Sequence, residues 1–155
     1  MAELIESVFV DCPYHRARGY LAAGVGERVQ SGNTMTLRAP LAGVDVKKDV
    51  VVTFSPGIDP MHMDQPWQVH WTPEGGGPYP DFDGALTVRA DEDYTTSILE
   101  LKGEYRPPGG ALGQAFNAVV GSRIAALTAQ SLLKSIGDDF ERRYHAEEAA
   151  KSHER

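Results

Sequence analysis

The chain has 155 residues, 41% hydrophobic and 24% charged, enough for one domain that buries about two thirds of its unfolded surface without a disulfide or metal staple. A formal net charge of -7 with no long Lys/Arg cluster sets it against nucleic acid backbones and anionic membrane surfaces, and no run of about 18 apolar residues offers a stable membrane anchor. Cys12 is the only cysteine, which excludes an internal disulfide and a multi-cysteine zinc site; with no basic and apolar leader in "MAELIESVFVD", the expected location is cytoplasmic.

Glu3 to Val10, "ELIESVFV", alternates roughly and is rich in β-branched and aromatic residues, which predicts a strand. Asp11-Cys12-Pro13 breaks it. Proline suits the first turn of a helix, so "PYHRARGYLAAG" predicts a short helix from Pro13 to about Ala22, ended by Gly24 and Gly26. From Thr34 onwards come "TMTLRA", "VKKDVVVTF", "WQVHWT", "FDGALTVRA" and "YTTSILELKGEY", separated by Pro, Gly, Asp and Ser. The separators are too short for intervening helices, which predicts an antiparallel meander and not a parallel βαβ sheet.

Alternation also assigns the faces, because successive side chains of a strand point to opposite sides. Val50, Val52 and Phe54 share one face, as do Trp67, Val69 and Trp71, then Phe82, Leu86 and Val88, then Leu99, Leu101 and Tyr105. Lys47, Asp49, Gln68, His70, Asp83, Arg89, Glu100, Lys102 and Glu104 fall on the other. Such a sheet needs a cover on its dry side. Leu112, Phe116, Val119, Val120, Ile124, Leu127, Leu132, Leu133, Ile136 and Phe140 recur at helical spacing, which predicts a long helix from about Gly110 to about His145. The single domain is expected over 1–146, with a charged, mobile tail over 147–155. Between the last strand and this helix, "RPPGG" supplies two prolines that cannot extend the ladder and two glycines that permit a sharp turn. Gly103 and Gly121 would allow bending and close approach.

A strand, a short helix, a meander and one long C-terminal helix is the element order of the α+β helix-grip fold. On "ESVFVDCPYHRARGYL", "YPDFDGALTVRA", "LELKGEYRPPGG" and "GSRIAALTAQSLLKSI" the chain resembles the START/polyketide-cyclase/birch-pollen-allergen (SRPBCC) superfamily, in particular its small bacterial members of unassigned role. The resemblance implies a curved antiparallel sheet of about six or seven strands around the helix, with an elongated cavity between them for a hydrophobic or amphipathic small molecule. It carries fold and no catalytic signature; no cofactor is expected.

The candidate cavity residues are Val52, Phe54, Trp67, Val69, Trp71, Phe82, Leu86, Leu99, Leu101 and Tyr105 on the sheet, and Phe116, Asn117, Val120, Arg123 and Ile124 on the helix. Ligand pockets are mostly apolar with a few polar groups; the plainer reading is that these side chains simply fill the core. His62, Asp64 and His70 are a close His/carboxylate group, but not at a recognised metal spacing, so no metal is expected. "EGGGP" lacks the Lys-Ser/Thr of a P-loop, and "GVGERV" lacks the third glycine of a dinucleotide site.

Three functions stay open. The first is binding of a hydrophobic small molecule without chemistry. The second is a cyclase/aromatase- or dehydratase-like enzyme for an aromatic or polyketide-like substrate, for which Tyr105, Asn117, Arg123, Ser97 and His15 are the available polar groups. The third is an interaction module with a filled core. The chain is expected to be a monomer or a homodimer.

Overall fold

The computed structural model describes residues 2–31, 33–41, 44–56, 67–73, 75, 81–106 and 118–153. Six strands are present among them: β1 (Ala2–Val10), β2 (Asn33–Leu41), β3 (Val44–Pro56), β4 (Trp67–Pro73), β5 (Asp81–Ala90) and β6 (Ser97–Arg106). All pair antiparallel, in the order β1-β6-β5-β4-β3-β2. The meander from β2 to β6 follows from the short connections, and β6 then returns beside β1, leaving β1 and β2 as the two edges.

The faces are those that the alternation predicts. Val50, Val52, Phe54, Val69, Trp71, Phe82, Leu86, Val88, Leu99, Leu101 and Tyr105 are buried, while Asp49, Gln68, Asp83, Arg89, Lys102 and Glu104 are exposed. Leu4 and Val10 extend the dry face onto β1.

Helix α1 (Tyr14–Ser31) begins where Pro13 places it: the Pro13 carbonyl accepts from Arg16 N at 3.0 Å and Ala17 N at 2.9 Å. Tyr14 N donates to Tyr94 O at 3.0 Å, which ties this start to the β5–β6 turn. The helix is longer than expected. It runs through Gly24 and Gly26 to Ser31, because a helical glycine costs only about 1 kcal/mol relative to alanine. Packing of α1 on β3 and β5 can offset that.

Helix α2 (Ala118–His153) has 36 residues and is therefore about 54 Å long at ~1.5 Å per residue. It touches both edges of the sheet, β1 and β2, as well as β6, so the curved sheet grips it. The region expected to open this helix, from Gly110 to Asn117, and the "PPGG" corner lie outside the described residues. At the other end the helix, expected to reach about His145, continues to His153. Glu147 accepts a hydrogen bond from Tyr20 Oη at 2.7 Å and pairs with Arg16, which joins this part of α2 to α1. The pairs Lys134–Asp138, Arg143–Asp139 and Lys151–Glu148 lie three or four residues apart, the spacing that lets side chains meet on a helix.

Two glycines face each other across β5 and β6, Gly84 and Gly103. A Cβ on Gly103 would overlap Asp83 O and Gly84 Cα, and one on Gly84 would overlap Phe82 Cζ and stand 2.6 Å from Lys102 O. The backbones are thus closer than any side chain permits, which agrees with the close approach expected at Gly103. On α2 the close approach occurs at Gly137, where a Cβ would come within 3.1 Å of Val10 Cγ2. Nothing beyond its helical backbone is described for Gly121.

Gly103→Ala is expected to lower stability by about 3 kcal/mol, the upper range for overpacking, because the atoms it meets are backbone. Gly19→Ala is the control: it lies in α1 with nothing within 4 Å of an added Cβ, and should stabilise by about 0.5–1 kcal/mol. Urea denaturation of the two variants measures both.

Candidate functional site

Register places the inner-face side chains in rows across the strands. Val52, Trp71, Phe82 and Tyr105 lie opposite one another along β3, β4, β5 and β6. In the next row Phe54, Val69, Gly84, Gly103 and Leu4 follow in order, and beyond it Trp67, Leu86, Leu101 and Glu6. Trp71 and Phe82 are stacked, with ring centroids 4.3 Å apart and planes at 19°. The Phe82 ring occupies the space above Gly84 that a side chain there would take. Gly84 and Gly103 therefore interrupt the side-chain layer, and one aromatic block leans into the gap.

Facing this layer, α2 contributes the buried side chains Ile124, Ala125, Ala129, Leu132, Leu133, Ile136 and Phe140. Of the predicted helix residues, Ile124 is buried, while Arg123 is exposed. The expectation that both face the cavity is corrected for Arg123: about 100° of rotation per residue turns it away from its neighbour. Phe116 and Asn117 lie outside the described residues, and for Val120 only a place in the helical backbone is described. The candidates of β3 to β6 thus share one enclosed apolar face: Val52, Phe54, Val69, Trp71, Phe82, Leu86, Leu99, Leu101 and Tyr105 are buried and Trp67 is half-buried.

The other polar candidates have structural partners or face solvent. Ser97 Oγ donates to Cys12 O at 2.7 Å, clasping the end of β1 to β6, and His15 is exposed. His62 and Asp64 lie outside the described residues. His70 stands on the wet face with Nδ1 2.8 Å from Asp83 Oδ1, in a shallow hollow of about 160 Å³ that Asp81, Glu104 and Arg106 also line. Among the described residues no group of three or more His, Cys, Asp and Glu side chains could hold a metal ion, and no helix is long and apolar enough to cross a membrane.

A second concavity escapes any reading of strand parity. An open groove of about 630 Å³ runs beside the β1 edge, between Val8 and Phe9 on the strand and Leu127, Lys134 and Glu141 on α2. Gln130 Nε2 donates across it to Ser7 O at 3.3 Å, and Asp11 N donates to Glu141 Oε1 at 2.9 Å. Helix side chains thereby occupy one backbone group of the edge strand and one just past its end, a device that blunts open edges. Ile5 and Phe9 on the outer face of β1 remain 53% and 60% exposed. The signal for the groove is tertiary, the passage of α2 along β1, and no sequence period carries it.

Cys12 is fully buried, and burial pushes its thiol up to about 11, partly opposed by Arg16. An inert packed thiol is the reading this supports. Tyr20 is pushed up to about 12, first by burial and then by its hydrogen bond to Glu147.

With that geometry the class of fold is defined: the chain is an α+β helix-grip protein, a curved antiparallel sheet closed around one long C-terminal helix. No protein-family model matches the sequence, and no curated protein matches it. Among solved structures it is similar to TTHA0849 from Thermus thermophilus, with 13% identity over 90% of this chain and 97% of that one and a TM-score of 0.51. Ara h 8.0201 matches at 12% identity over the same shares of the two chains, with a TM-score of 0.48. A START superfamily protein from Mycobacterium smegmatis matches at 10% identity, again over 90% and 97%, with a TM-score of 0.44. At such identities the likeness is one of fold.

The two raised groups make stability depend on alkaline pH. Both are protonated in the folded chain, and unfolding restores ordinary values of 9.0 for the thiol and 10.0 for the phenol. Their contribution is therefore complete below pH 9 and is lost as the pH rises through about 11 to 12. Denaturation midpoints should stay flat up to pH 9 and then fall, and Cys12→Ala and Tyr20→Phe should each make the fall shallower. A thiol reagent at pH 8 should label the native protein far more slowly than the urea-unfolded chain.

Proposed function

We propose that the protein binds a hydrophobic or amphipathic small molecule between the inner face of the sheet and α2, without chemistry on it. The observation that carries this reading is the apolar character of the enclosed face. From β3 to β6 every described inner side chain is aliphatic or aromatic apart from Ser97, whose hydroxyl is engaged by Cys12 O. A face of this kind favours a ligand through area removed from water and offers few groups for proton transfer. A cyclase-like or dehydratase-like reaction would need polar groups aimed into the same space. Of those expected, Tyr105 is buried on the inner face, while Arg123 is exposed and Ser97 is committed. A lone buried thiol suits a reducing compartment, so the cytoplasm is the location that accompanies this reading.

Native mass spectrometry of gently purified protein is the test, combined with fluorescence titration of fatty acids, sterol-like compounds and flavonoids. The expected result is a non-covalent adduct that disappears on denaturation, and saturable binding of at least one class. No adduct and no binding by any of the three classes would contradict the reading.

A further inference from the structure

Buried polar side-chain atoms in this protein are engaged wherever the fold can reach them. Ser97 Oγ donates to Cys12 O, Thr128 Oγ1 donates to Ile124 O and Tyr20 Oη donates to Glu147, each at 2.7 Å. Among the described residues one such atom is buried with no hydrogen-bond partner, the indole Nε1 of Trp67. Trp67 opens β4 on the same face as Val69 and Trp71, pairs in register with Leu86, and packs against the core. Its register neighbours on this face, Leu86 and then Leu101, carry hydrocarbon side chains.

An unsatisfied buried donor costs about 1–3 kcal/mol, and phenylalanine would fill much of the same space without that cost. A buried water is a poor remedy, because it needs about two to four polar partners and the register neighbours Leu86 and Leu101 provide none from their side chains. An oxygen that arrives attached to a carbon skeleton needs only the one donor. We infer that Trp67 Nε1 is the polar anchor of the inner face, and that the ligand is an apolar molecule carrying a neutral acceptor oxygen, such as a ketone, ester or ether. This rests on the binding reading above and narrows it. A carboxylate fits the site less well: a buried anion needs compensating charge or several donors. The charged residue in the same row, Glu6, is itself acidic and lies three strands away, about 14 Å at ~4.8 Å per strand.

The test compares 9-fluorenone with fluorene, two flat tricyclic probes of nearly one shape that differ in the acceptor oxygen. Affinities of both are measured for the full-length wild type and for Trp67→Phe. The expected result is that the fluorenone-to-fluorene affinity ratio falls about five- to tenfold in the variant, the size of one net hydrogen bond, while fluorene binding stays within about twofold. The ratio of ratios removes the difference in hydrophobicity between the probes. Should Trp67→Phe fail to fold, the wild type alone decides: with ¹⁵N-labelled tryptophan, the Trp67 indole N–H resonance moves downfield with fluorenone and not with fluorene. An unchanged ratio, or an indole signal that responds equally to both probes, overturns the anchor and leaves the binding reading standing. Failure of the wild type to bind either probe counts against both.

Discussion

The contact between Gly84 and Gly103 is the constraint on which the rest of the structure depends. These residues face each other on β5 and β6 in the interior of the sheet, where an added methyl on either would overlap its surroundings. Their bare backbones permit this close approach, and Phe82 folds over the gap to stack on Trp71. The sheet curves far enough that β1 and β2 at its two edges both reach α2. A flat sheet of the same composition would leave part of its apolar face in water, at a cost of about 25 cal/mol for each Å².

Helix α2 closes the arrangement from the other side. Gly137 lets it approach Val10 closely, Gln130 reaches Ser7 O on β1, and Glu141 reaches Asp11 N just past the end of that strand. At its far end Glu147 receives Arg16 and Tyr20 from α1. One helix therefore covers a core, caps an edge strand and clasps a second helix. Its length follows from these three tasks, which extend past the end of its apolar stripe at Phe140.

Features with a local cause were legible in the sequence, and features with a tertiary cause were not. Alternation in "WQVHWT" and "SILELKGEY" states the period of a strand and which side is dry, and burial of Val69, Trp71, Leu99, Leu101 and Tyr105 follows it. Pro13 marks the start of α1 for a local steric reason. Helix ends were less legible, since a glycine inside a helix costs little beside tertiary packing: α1 passes Gly24 and Gly26 without ending. The charged residues after His145 resemble a solvated tail until Arg16 and Tyr20, about 130 positions away in sequence, supply partners. In the candidate site the sheet residues could be assigned by parity alone. Arg123 could not, because one position along a helix changes the face. The unpartnered indole of Trp67 depends on what its neighbours lack, and no period of its own strand reports that.

Ligand binding at this site requires that the inner face enclose space a small molecule can enter. Crystals of the purified protein pressurised with xenon test this most directly, since xenon settles in apolar space without needing the correct ligand. The predicted result is a xenon site, or co-purified density, against Trp67 and Leu86 on the side facing α2. Continuous packing of side chains over that face, with neither xenon nor density, would contradict it.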